Sequence, residues 1–144
     1  MYRFHLLLVC FWLAGCAAYG PPRVEPARYP YSHTGYDLAL FWNLKRTESV
    51  ITLEGMVQNN SYAYLHDLEV TATILDGPAR KLGEDTFLFF PRQIDIDEIV
   101  PFTLRLPLPA GTKPATLRFF YRYRVSDRDA GPSPFMHSFE VELR

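Results

Sequence analysis

The sequence predicts an all-β chain: a seven-stranded antiparallel β-sandwich carried behind a signal peptide and a Pro-rich tether. Three observations predict it. From Tyr36 onward, apolar and polar residues alternate with period two in segment after segment. Turn-forming clusters separate the segments: Asn59-Asn60-Ser61, Asp76-Gly77-Pro78, Pro109-Ala110-Gly111 and Ala130-Gly131-Pro132. No stretch longer than a turn carries helical spacing, and short alternating strands bury their apolar faces best as two packed sheets.

The N-terminus comes first. Arg3 supplies a positive charge, and residues 6–14, LLLVCFWLA, are apolar throughout. As a helix this run spans about 14 Å at about 1.5 Å per residue, against a bilayer core about 30 Å thick. It is too short to cross alone and fits the apolar region of a signal peptide. Leu13-Ala14-Gly15-Cys16 then resembles the bacterial lipobox. The resemblance implies cleavage after residue 15 and lipidation at Cys16, with diacylglycerol on the sulfur and an acyl chain (palmitate) on the new amino group. One chain holds a protein only marginally, whereas several hold it stably. Ala17 stands where an Asp retains many such proteins at the inner membrane, so the resemblance implies an outer-membrane anchor facing the periplasm. Cys10 and Cys16 are the two cysteines of the chain, so the domain beyond them has no thiol for a disulfide or a Cys-based metal site.

Residues 16–34 then read as the lipidated N-terminus and a Pro-rich tether. Such a segment extends by about 3.1 Å per residue, unless Tyr29 and Tyr31 pack onto the domain and shorten it. The sandwich is assigned to residues 35–144. Its first strand, 36–44, places Tyr36, Leu38, Leu40 and Trp42 on one face. The second, 49–57, alternates Ile51, Leu53 and Val57. The third, 67–75, turns Leu68, Val70, Ala72 and Ile74 inward and Asp67, Glu69, Thr71 and Thr73 outward. The fourth is 85–90, and the fifth, 100–106, turns Phe102, Leu104 and Leu106 inward. The sixth is 116–125 and the seventh 135–143. Residues 91–99 read either as an extra edge strand or as a crossover between sheets.

The stretch LEGMVQNNSYAYLHDLEVTATILD, residues 53–76, resembles the FxLYD-type domain of bacterial envelope proteins, a small Ig-like or fibronectin III-like sandwich. Gly55, Val57, Asn59, Ser61, Leu65, Asp67, Leu68, Val70 and Asp76 carry the pattern, and Gly83 matches a following glycine. Residues 95–98 depart from it, with Asp95, Asp97 and Glu98 where a Pro-Gly turn is usual. The resemblance speaks to fold and not to an activity. In physical terms Gly55 marks a bulge or a close backbone approach, and Asn59, Ser61 and Asp76 bond their own turns.

Composition narrows the function classes. Fifteen Lys+Arg against 16 Asp+Glu leave a net charge of -1, so no global polyanion-binding surface and no nucleic-acid partner is expected. Aromatics make up 15% of the chain, enough for a domain of roughly 110 residues to build a core without disulfides. No nucleophile elbow, phosphate loop or zinc-ligand spacing is present. No catalytic residue, metal or cofactor is therefore assigned.

Two groups of side chains merit a site reading. Asp95, Asp97 and Glu98 offer carboxylates, though calcium wants six to eight oxygens, and a solvated acidic edge is the simpler expectation. Arg118, Arg122 and Arg124 share the outward face of the sixth strand with Phe120. They are the candidate contact residues for a partner or ligand. The plainer alternative pairs them across the hairpin with Glu140 and Glu142. The expectation is a non-enzymatic, membrane-anchored envelope lipoprotein that docks a periplasmic protein. The alternative is a module binding cell-wall or lipopolysaccharide groups through its arginine and aromatic face.

Overall fold

The computed structural model describes residues 25, 28–126 and 131–143. Cys16, the signal segment and most of the tether lie outside the described residues. Nine strands form in order: β1 (Tyr31–Thr34), β2 (Leu38–Arg46), β3 (Val50–Asn59), β4 (Tyr64–Asp76), β5 (Lys81–Leu88), β6 (Gln93–Ile94), β7 (Ile99–Pro107), β8 (Pro114–Ser126) and β9 (Ser133–Glu142). They make two antiparallel sheets, β1-β2-β3-β7 and β5-β4-β8-β9, with β6 added to the end of β4. The chain crosses between sheets three times, after β3, after β6 and after β7.

The alternation sets the core. Leu40, Trp42, Ile51, Leu53, Val57, Phe102, Leu104 and Leu106 of the first sheet face Val70, Ala72, Ile74, Leu117, Phe119 and Tyr121 of the second. Trp42 and Phe119 meet at 4.8 Å between ring centroids, and Phe139 stacks on Phe119 at 4.9 Å. Both open sides of the sandwich are closed. On one side β5 touches β7: the Arg105 backbone N–H donates to Asp85 at 2.7 Å. A Cβ at Gly83 would stand 2.0 Å from the Pro107 carbonyl oxygen, so only glycine lets the strands come this close. On the other side β1 meets β9, where the His33 ring stacks on Phe139 at 3.7 Å.

The structure revises several boundaries. Among the described residues there are nine strands rather than seven. Tyr31–Thr34 pairs with β2, so the segment assigned to the tether contributes a strand, and Tyr31 stacks on Trp42 at 5.8 Å. Tyr29 packs 6.3 Å from Phe41. Tyr36 is not on the core face of its strand: it precedes β2 and is 95% exposed. The fourth segment begins at Lys81, ahead of Asp85, and ends at Leu88, because residues 89–92 leave the sheet. Residues 91–99 are both of the readings offered, a two-residue strand followed by a crossover turn. Gly55 marks a close approach and not a bulge: its pairing with Trp42 is regular, and a Cβ there would lie 2.1 Å from the Phe41 carbonyl oxygen. A bulge falls instead in β4 between His66 and Glu69, where Asp67 takes φ 52°, and the register shifts again near Leu75.

Candidate functional site

One end of the sandwich is tied together by Asn59. Its side chain is fully buried. Nδ2 donates to the carbonyls of Ala63 at 2.9 Å and Asp95 at 3.0 Å, while Oδ1 accepts from the Ser61 N–H at 2.9 Å and the Ser61 hydroxyl at 2.7 Å. The turn role read for Asn59 and Ser61 holds. Asp95–Glu98 closes as a turn, with Asp97 at φ 61°. Glu98 accepts the Asp95 N–H at 2.6 Å, and Asp95 accepts from Gln93 at 2.7 Å. Among the described residues no cluster of three metal-ligating side chains forms.

The arginines of β8 lie where alternation places them, on the outer face of the second sheet. Each holds a carboxylate. Arg118 donates to Glu140 at 2.7 Å across the hairpin. Arg122 donates twice to Glu69 of β4, at 2.9 and 2.6 Å. Arg124 bonds Asp67, which also lies 3.7 Å from Arg92. The expected pairing across the hairpin is therefore right for Glu140 only. Glu142 stands opposite Thr116, and Arg122 and Arg124 face Met136 and Pro134 on that side. A central strand has two neighbours, and β4 supplies the other acids. Phe120 is half-buried in a row between Thr71 and Ser138 rather than freely exposed. His66 and Asp67 take separate partners: His66 Nε2 sits 2.6 Å from the Ser126 hydroxyl.

The arginines lead into a groove that the alternation did not reveal. At the level of Arg122, the sheet presents the row Leu88, Glu69, Arg122, Met136. Beside it, residues 88–92 and the start of β9 wall a groove of about 530 Å³. Phe90 is 83% exposed, Met136 70% and Leu88 66%, while Phe135 stacks on Tyr123 at 5.8 Å. The sequence carried a signal for it. Leu88-Phe89-Phe90 and Phe135-Met136 are adjacent apolar residues, and a strand cannot bury neighbours on one face. The chain enters the sandwich far from this groove, because Tyr31 lies beside Val141 and Glu142. From Met136 to Glu142 the strand rises about 20 Å.

Burial and the buried carboxylate of Asp37 hold two phenols neutral. Desolvation pushes Tyr123 up, and its hydrogen bond to Asp37 pushes it further; Tyr121 is raised mainly by burial and then by the Asp37 charge. At the far turn, burial pushes Asp76 up. Hydrogen bonds from the Arg80 backbone and guanidinium, with its charge, outweigh that and hold Asp76 below its ordinary 3.8.

No family model matches the chain, and no curated protein matches it. Among solved structures it is similar to part of a β-glucuronidase from glycoside hydrolase family 2, at TM-score 0.35 and 10% identity. The match covers 70% of this chain and 11% of that one, so this chain spans about a tenth of that enzyme's length. These comparisons leave the family of the chain unassigned, and its two-sheet β-sandwich is the identity the structure supplies.

Proposed function

We propose that the protein is a non-enzymatic, lipid-anchored envelope lipoprotein whose FxLYD-like sandwich docks a periplasmic protein through the groove at Phe90, Phe135 and Met136. The lipobox resemblance ending at Cys16 supports the anchor, and Ala17 after it supports the outer-membrane location. The observation that carries the docking is the apolar patch itself. Exposed Phe and Met side chains gather beside carboxylate-paired arginines, and Phe, Met and Arg are the residues enriched at protein–protein interfaces. The groove also lies about 20 Å along β9 from the place where the anchored chain enters the domain. That spacing suits a partner reaching in from the periplasm.

The alternative is binding of cell-wall or lipopolysaccharide groups by Arg118, Arg122, Arg124 and Phe120. The carboxylate on each arginine weighs against it, since the face's positive charge is already balanced. Photo-crosslinking in intact cells from a reactive side chain at Met136, with Cys16→Ala as control, tests the choice. The docking reading expects one recurrent protein adduct that Phe90→Asp abolishes. Adducts with wall fragments or lipopolysaccharide alone would support the alternative, and no adduct at all would sink the docking surface.

A further inference from the structure

The seam between β1 and β9 is the least satisfied part of the core. Among the described residues, two buried side-chain nitrogens there have no hydrogen-bond partner, His33 Nε2 and Trp42 Nε1. Both belong to the contact made by β1: His33 lies on β1, and Trp42 is stacked by Tyr31. β1 is also short, at four residues, and pairs with β2 alone. Its hold on the other sheet is a stack of rings. His33 lies on Phe139 at 3.7 Å and 7°, with His137 stacked 5.4 Å away and Tyr121 tilted at 6.4 Å.

A neutral imidazole suits this place and an imidazolium does not. The groups facing His33 are Tyr121 from β8 and His137 and Phe139 from β9; from β2 come the apolar Leu40 and Trp42. Tyr121 stays neutral. Asp37, the nearby buried carboxylate, accepts from Tyr123 at 2.7 Å. Burial, and then repulsion by His137, press His33 below its ordinary 6.5.

We infer that β1 is a pH-released latch: protonation of His33 breaks its stack on Phe139 and frees Tyr31–Thr34 from the sandwich. Release adds β1 to the tether, about 13 Å at about 3.3 Å per residue. It also bares the β2 edge and the Trp42 ring. The latch is a separate property from the groove and stands whether or not the groove binds.

Linkage fixes the sign. A histidine whose proton affinity is lower in the closed state favours closure above pH 6.5. Below 6.5 the closed-to-open ratio falls by up to about tenfold per pH unit, until pH drops through the lowered value. The test is hydrogen exchange of the full chain in detergent micelles at about pH 7.5 and about pH 5.5, corrected for intrinsic rates. Protection across residues 31–34 and 38–42 is expected to fall at the lower pH while that of β8 holds. His33→Phe keeps the ring stack and is expected to stay closed at both. NMR titration of the unmodified protein provides the second measurement: His33 takes up its proton over the same pH range in which β1 opens. Protection of β1 that ignores pH, loss of protection in His33→Phe equal to that of the unmodified chain, or a His33 that stays neutral while β1 exchanges would each overturn the latch.

Discussion

The Tyr123 hydroxyl donates to the Asp37 carboxylate at 2.7 Å, and both side chains are buried. The bond joins the bend just before β2 to β8 in the other sheet. Removing the donor strands a carboxylate inside the fold. Tyr123→Phe is expected to cost about 2–3 kcal/mol in urea unfolding. Adding Asp37→Asn to it should recover part of the loss, since a neutral amide is cheaper to leave short of a partner than a charge.

Asn59 joins three segments of chain: the end of β3, the turn to β4 and the turn to β7. Asn59→Ala would leave the buried Ile94 carbonyl and the part-buried carbonyls of Ala63 and Asp95 without this donor. The expected loss is about 3 kcal/mol, read as a fall in the urea midpoint at unchanged slope.

The arginines of β8 are a contrasting case. Arg118 and Glu140 are each about half exposed, at 45% and 50%. Arg118→Ala should cost about 0.5 kcal/mol. An Arg118/Arg122/Arg124 triple Ala variant is expected to fold, with a melting temperature only a few degrees lower. A collapse of stability in that variant would show that the outer face is part of the structural core.

Acid acts on the β4–β5 turn. Asp76 is held below 3.8 in the folded state, so its contribution is present above that value and is lost as pH falls through the folded one. Asp76→Asn should flatten the decline of stability on acidification below about pH 4, measured as melting temperature against pH.

Gly83 sets the spacing of the closed side opposite β1. Gly83→Ala places a Cβ against the Pro107 carbonyl oxygen at 2.0 Å, a backbone atom that cannot move alone. The expected cost is about 2 kcal/mol or more, with faster hydrogen exchange at β5 and β7 as the local sign.

Most of the sandwich was legible as period-two alternation. Leu68, Val70, Ala72 and Ile74 face inward as read, as do Phe102, Leu104 and Leu106. Tyr36 was misplaced because a pattern continues smoothly into the residue before a strand begins, whereas the chain turns there. β1 was hidden by prolines and by its shortness, since four residues make too little alternation to register. The arginine face was visible, but its partners were not. Period two says which side a residue takes and is silent on which neighbour a central strand meets there. The groove depends on residues 89–92 leaving the sheet just where β4 bulges at Asp67, a coincidence of distant segments that no local pattern encodes.

The three crossings between sheets bear on how the chain acquires its shape. β3 waits for β7, with Val50 opposite Pro107, and β4 waits for β8, with Tyr64 opposite Ser126. Each sheet is thus joined through pairs separated by about forty to sixty residues, a topology of high contact order that folds in about milliseconds to seconds. During synthesis the middle of the chain emerges with its strand edges unmatched. Neither sheet closes until the final third of the protein has arrived, so the time spent half-made is set by the C-terminal strands, and truncation there should trap a chain that aggregates.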